Sequence, residues 1–142
     1  MTATLTLTNT SKVFGETRAV DNVSLKIEKG QFIGVIGRSG AGKSTMLRLI
    51  NRLIDPTEGS VAFEGKEITA LKGKQLRTWR RDCAMIFQQF NLVERLDVLT
   101  NVLIGRLAVH GFISSMAMRF TDQERTMALE ALDRLDLVPQ AL

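Results

Sequence analysis

The stretch Gly37-Arg38-Ser39-Gly40-Ala41-Gly42-Lys43-Ser44 constrains this chain more than any other part of it. It fits G-x-x-x-x-G-K-[ST], with an apolar run before it and a helical pattern after it. Glycines in such a loop let the backbone turn successive N–H groups inward, where they form a concave nest for phosphate oxygens. The helix that follows adds the positive end of its dipole. With Gly at about 7% of residues in ordinary proteins, a chance match in a chain of this size has odds on the order of half a per cent. The motif therefore predicts a nucleotide-phosphate site. Lys43 would reach the β- and γ-phosphates, and the Ser44 hydroxyl is placed to ligate Mg²⁺.

The surrounding pattern predicts an α/β fold with an antiparallel portion at the start. Thr4 to Thr8 alternates Thr and Leu, and Val23 to Ile27 repeats that period of two, so both read as half-buried strands. Gln31 to Ile36 is a nearly unbroken apolar run, which predicts a strand covered on both faces in a parallel sheet. Met46, Leu47, Ile50, Leu53 and Ile54 follow helical spacing over Lys43 to Leu53, and Asp55-Pro56-Thr57-Glu58-Gly59 ends that helix. Val61 to Phe63 reads as a further strand and Lys72 to Arg81 as a basic helix. Cys83 to Phe87 is a second compact apolar run. Thr100 to Val109 and Thr121 to Leu137 are the later helices. The second opens on Thr121-Asp122-Gln123-Glu124, a capping-box pattern, and Met127, Ala128, Ala131, Leu132 and Leu135 line one face of it.

Composition narrows the class without supplying chemistry. The 142 residues are 44% apolar and 24% charged, so one ordinary globular domain is expected rather than disorder. No apolar run approaches the ~20 residues of a membrane span, and the N-terminus shows no basic region followed by an apolar core. Cys83 has no internal partner, which predicts a reduced, cytosolic setting; beside an apolar strand it reads as a small buried hydrophobe. His110 has no neighbouring ligand for a metal. Lys72, Lys74, Arg77, Arg80 and Arg81 have only Trp79 as aromatic company, so they read as a solvated helix face rather than a nucleic-acid stripe.

Two alternatives for the loop fall away on sequence. No Asn-Lys-x-Asp base-reading motif of a small GTPase is present, and about thirty residues of strand-like sequence precede the loop, unlike the start of nucleotide kinases. That leading segment, Lys12-Val13-Phe14-Gly15 and Ala19-Val20-Asp21-Asn22-Val23-Ser24-Leu25, resembles the ATPases of ATP-binding cassette (ABC) transporters. The resemblance continues through Gly37 to Thr45, Pro56-Thr57-Glu58-Gly59 and Met85-Ile86-Phe87-Gln88-Gln89-Phe90-Asn91-Leu92. Phe87 to Leu96 and Asn101 to Leu107 look most like the ATPase subunit of phosphonate importers. Importers of other small anions and of polar amino acids are close in pattern.

The resemblance implies ATP and Mg²⁺ as ligands. Gly37, Arg38, Ser39, Gly40, Ala41, Gly42, Lys43, Ser44 and Thr45 would hold phosphates, Phe14 would stack on adenine, and Ser44 and Gln88 would meet Mg²⁺, Gln88 as the Q-loop glutamine. It implies a homodimer of ATPase subunits on integral-membrane permease subunits at the cytoplasmic face of the bacterial inner membrane. A periplasmic binding protein would be an indirect partner, and nucleic acid none. Residues after Gln88 and the helix near Leu99 to Leu107 would face the permease.

Residues of about 1–90 are expected to form the nucleotide-binding core with its antiparallel strands, and about 91–142 part of the helical subdomain. The family's Leu-Ser-Gly-Gly-Gln signature, its Mg²⁺-associated Asp after an apolar strand, its catalytic Glu and its switch His do not occur here. The chain therefore resembles the N-terminal portion of such a subunit, truncated before signature and Walker B. By itself it is expected to be catalytically incomplete, or an inert fragment that at most binds nucleotide or a partner. An ABC ATPase acting on nucleic acid would be expected to insert a coiled coil or a Cys pair, and neither is present.

Overall fold

The strand that opens on the alternation of Thr and Leu runs further than that alternation does. It is β1 (Thr4–Phe14), which turns through Gly15 into β2 (Thr17–Glu28) as an antiparallel hairpin. The computed structural model describes residues 4–89, 91–107 and 119–141. Its contacts divide the chain into two units, Met1–Met85 and Ile86–Leu142. In the first unit β1 also pairs with β3 (Glu58–Phe63), and β3 with β4 (Lys66–Glu67), giving a four-stranded antiparallel sheet in the order β2-β1-β3-β4.

The register of β1 breaks between Leu7 and Thr10, and again before Lys12 and Val13. Such a bulge changes which side chains face inward, and Thr10 and Ser11 become fully buried as a result. Both are satisfied: Thr10 Oγ1 donates to the Ser60 carbonyl at 2.9 Å, and Ser11 Oγ accepts from the Asn22 N–H at 2.9 Å. Buried hydroxyls without such partners would cost about 1–3 kcal/mol each.

Leu7, Val61, Ile68 and Leu71 form the buried cluster on the sheet. Met46 and Ile50 of α1 (Lys43–Ile50) and Leu76 and Trp79 of α2 (Gly73–Asp82) pack against it. The ring centroids of Phe63 and Trp79 are 5.4 Å apart. The helix stops earlier than the Asp55-Pro56 signal predicts, because Arg52 takes a left-handed backbone with φ +59°. Leu47, inside the helix, and Leu53, beyond its end, are both exposed.

One expectation is overturned at the level of the element. Gln31 to Ile36 pairs with no strand among the described residues, and Phe32 and Ile36 are 98% and 95% exposed. A parallel strand takes its hydrogen bonds and its two apolar covers from distant segments. The described sheet is wholly antiparallel and offers this run no pairing partner. Cys83 to Phe87 is likewise no strand, and Ile86 is exposed.

The second unit contains α3 (Val98–Ile104), α4 (Asp122–Asp133) and a 3₁₀ turn at Val138–Gln140. Leu99, Leu103, Ala128, Leu132 and Ala141 make its core, with Phe120 packed against it. The buried stripe of α4 is Glu124, Ala128 and Leu132. It is narrower than the face expected from the sequence, since Met127 and Leu135 are exposed. The capping box is formed as its spacing predicts: Glu124 N–H donates to Thr121 Oγ1 at 3.2 Å and Thr121 N–H to Glu124 Oε2 at 3.0 Å. His110, Phe90 and the end of the helix expected to reach Val109 lie outside the described residues.

Candidate functional site

Gly40 and Gly42 both take left-handed backbones, φ +80° and +79°, and Gly42 is the N-cap of α1. The choice of glycine at 42 is forced twice. Besides its backbone, a methyl group there would sit 1.9 Å from the Ala19 carbonyl oxygen. The loop is thereby seated on β2 at Ala19 and Val20, in the strand that leads out of the β1–β2 hairpin. The Ala41 N–H donates to the Arg38 carbonyl at 3.2 Å, and the Met46 N–H to the Gly42 carbonyl at 2.8 Å, starting the helix.

Lys43 arches back over its own loop. Its ammonium donates to the Gly37 carbonyl at 2.8 Å and the Arg38 carbonyl at 2.7 Å. No side chain caps α1 and no acid stands in its first turn. Its leading N–H groups therefore keep their full positive field, which suits an anion. A cavity of about 300 Å³ lies against this loop, with Arg18, Ala19, Val20, Gly42, Lys43 and Met46 in its wall. Lys43, a capless helix start and glycines at the point of closest approach fit a polyphosphate, while Arg18 in the same wall pairs with Asp21 at 3.0 Å.

Phe14 ends β1 opposite Thr17, in the hairpin whose second strand carries Ala19. Its ring is about half exposed, and the Lys12 ammonium lies 5.0 Å from the ring centroid. Lys12 is itself anchored by donating to the Asp55 carbonyl at 2.7 Å. Ser44 is exposed in the first turn of α1. The structure thus brings Phe14 and residues 37–45 into one unit. Gln88 belongs to the other unit, on an exposed bend. Hydroxyl and amide oxygens are the hard donors that Mg²⁺ accepts. Among the described residues no group of three or more His, Cys, Asp or Glu side chains could hold a metal.

Other residues resolve into structural roles. Cys83 is half-buried, and burial pushes its thiol above the usual range, which lowers its thiolate fraction. Within the basic helix, Arg81 pairs with Asp82 at 3.1 Å and Arg80 donates to the Arg52 carbonyl. Asn101 is a hub that the sequence did not single out: its amide donates to the carbonyls of Val93, Leu96 and Asp97, and its Oδ1 accepts from the Val93 N–H at 2.8 Å. Arg18 in the cavity wall was also missed, and Ala19, quoted in the segment that carries the family resemblance, was given no role at the site. Proximity to the hairpin turn gives no hint of the loop that lands on them.

Residues 20–141 match the family model described as ABC transporter. The chain belongs to the ABC transporter family. It is 56% identical over 136 residues to the phosphonates import ATP-binding protein PhnC of Rhizobium meliloti (strain 1021), covering 96% of this chain and 49% of that protein. The protein of the same description from Rhizobium johnstonii is 57% identical over 136 residues, with the same shares covered. The chain therefore spans about half the length of these curated relatives.

Among solved structures, it is similar to a dimeric ATP-binding cassette in a post-hydrolysis state bound to ADP and Pi. The TM-score is 0.78 at 36% identity, over 96% of this chain and 60% of that one. A nucleotide-free cassette from an ABC transporter gives 0.76 at 29% identity, over 99% and 56%. The fold is that of an ATP-binding cassette in part: the antiparallel sheet, the phosphate-loop helix and helices of the second unit. Among the described residues no helix is long and apolar enough to cross a membrane.

Proposed function

We propose that this chain is the nucleotide-binding portion of an ATPase subunit that drives import of phosphonate through a membrane permease. The observation that carries the nucleotide reading is the loop wedged at Gly42 against Ala19, with the Lys43 ammonium folded over it. The phosphonate reading is supported by the two relatives described above, each named for phosphonate import.

In this reading the N–H groups of residues 37–45 hold the phosphates of ATP. Lys43 gives up two carbonyl contacts in exchange for phosphate oxygens, a charge-assisted replacement. Ser44 and Gln88 offer oxygen ligands to Mg²⁺, which when bound neutralises charge on the β- and γ-phosphates. Phe14 supplies a flat apolar face for adenine. Two such subunits work as a pair on permease subunits at the cytoplasmic face of the inner membrane. A periplasmic binding protein delivers the cargo. The residues up to about 90 serve nucleotide, and those after it serve the permease. Cargo selectivity lies with the partners.

Calorimetry with Mg-ATP tests the binding step. A saturable heat is expected, and Lys43→Ala should weaken it about 10- to 100-fold, the equivalent of one lost charge-assisted hydrogen-bonding group. Absence of heat in the unaltered chain would remove the nucleotide reading. Steady-state hydrolysis by the unaltered chain, abolished in Lys43→Ala, would show that the chain is more than a binding module.

A further inference from the structure

The turn at residues 55–58 holds the end of β1 where no strand does. β3 begins at Glu58, which pairs with Ser11, so Lys12, Val13 and Phe14 have no partner on β3. Pro56 lacks an N–H and cannot extend the ladder. Thr57 takes its place twice over. Its N–H donates to the Ser11 carbonyl at 2.8 Å, and its hydroxyl accepts from the Val13 N–H at 3.1 Å. Lys12 Nζ donates to the Asp55 carbonyl at 2.7 Å, and Arg18, opposite Val13 on β2, approaches Glu58 at 3.9 Å. A side chain at 59 would run into the Thr8 and Asn9 carbonyls, so the exit of the turn lies close against β1.

What these contacts steady is Phe14. Its ring is half exposed and belongs to neither buried cluster, so burial in a core does not fix it. Thr57 is exposed as well, and its hydroxyl answers no need of a core. The Lys12 ammonium stands over the Phe14 ring, 5.0 Å from the centroid, and the Asp55 carbonyl keeps it there. A cation over one face is attracted to the π electrons and leaves the opposite face to a flat partner.

We infer that Lys12 and Thr57 are positioning residues for the base, holding the Phe14 ring in the attitude that receives adenine before the nucleotide arrives. This rests on the proposed nucleotide reading and deepens it. The phosphate loop and the ring share one unit, and a bound nucleotide reaches both at once. A ring already fixed removes an ordering penalty that binding would otherwise carry. The labour is divided accordingly. Residues 37–45 set the affinity for any polyphosphate, and Lys12 with Thr57 set the further affinity that a base adds.

Calorimetric titrations with Mg-ATP and with Mg-tripolyphosphate, which has no base, separate the two. The unaltered chain should bind Mg-ATP more tightly than tripolyphosphate. Lys12→Met should weaken Mg-ATP about 3- to 10-fold. Thr57→Val, which removes the hydroxyl at nearly the same volume, should weaken it at least about twofold. Both variants should bind tripolyphosphate within about twofold of the unaltered chain, and Lys12→Arg, which keeps a cation over the ring, should restore Mg-ATP binding. In a Phe14→Ala background Lys12→Met should add less than about twofold, because the ring it positions is gone.

Equal loss of Mg-ATP and tripolyphosphate in the Lys12→Met chain would overturn the inference, since charge or fold would then be at stake and not the base. An effect of Lys12→Met that persists undiminished without Phe14 would overturn it too, as would Mg-ATP binding unchanged in both variants. Heat from neither ligand in the unaltered chain would instead bring down the nucleotide reading. Should Thr57→Val fail to fold, the Lys12 variants decide the matter.

Discussion

Gly42 shows how far a single residue can be read from sequence and where reading stops. The G-x-x-x-x-G-K-[ST] spacing demands a glycine there, and the structure supplies φ +79° for it. The second reason, a carbonyl of β2 lying 1.9 Å from where a methyl would be, depends on a residue more than twenty positions earlier. Gly42→Ala therefore meets both an unfavourable backbone and a collision with main chain, which cannot swing aside as a flexible side chain would. The loop should lift from Ala19, with Mg-ATP heat falling at least tenfold while the far-ultraviolet spectrum of the sheet is kept. Binding within twofold of the unaltered chain would contradict this seating. Thr10 and Arg52 were not legible for the same reason. The Thr10 hydroxyl and the Arg52 guanidinium take carbonyls of residues 60 and 69. Side chains of these types are ordinarily solvated, so sequence gives no cue to such distant partners.

At the scale of elements, local chemistry was legible and tertiary cover was not. The capping box of α4 is a local device and formed as its letters imply, whereas the width of its buried stripe depended on α3 and Ala141. Thr121→Ala should destabilise the second unit by about 1 kcal/mol, read from hydrogen exchange of α4 amides. The cap of α3 differs in being ionisable. Asp97 accepts from the Thr100 N–H at 2.6 Å and from its hydroxyl at 2.9 Å, and these bonds hold its carboxyl below the ordinary 3.8. A lowered folded value means the carboxylate contributes stability above pH 3.8 that is lost as pH falls through the folded value. Amides of α3 should therefore lose protection in that acid range. Asp97→Asn keeps an accepting oxygen and cannot titrate, so its profile should be flatter over the same range. An unaltered slope would show that the cap does not govern α3.

The molecule as a whole was legible as a family, and its central apolar run was legible in composition though not in its pairing. Phosphate loop, hairpin and helices could each be placed from motifs, because motifs are local. The run Gln31 to Ile36 has the composition of a strand covered on both faces, and that composition is a statement about neighbours elsewhere in a protein. None of the described residues supplies them. What remains is an apolar run that belongs to no strand among the described residues, with Phe32 at 98% and Ile36 at 95% exposure. A β-prone edge of this kind recruits another edge, and each apolar side chain removed from water on pairing contributes about 1.5–3 kcal/mol. No charged residue interrupts positions 31–36, so nothing opposes the approach of a second chain. The expected consequence is concentration-dependent association of the chain in solution. Phe32→Lys with Ile36→Lys places two like charges on the run and should restore a monomer. Light scattering across a dilution series checks it: unaltered chain and double variant associating equally would place the contact elsewhere.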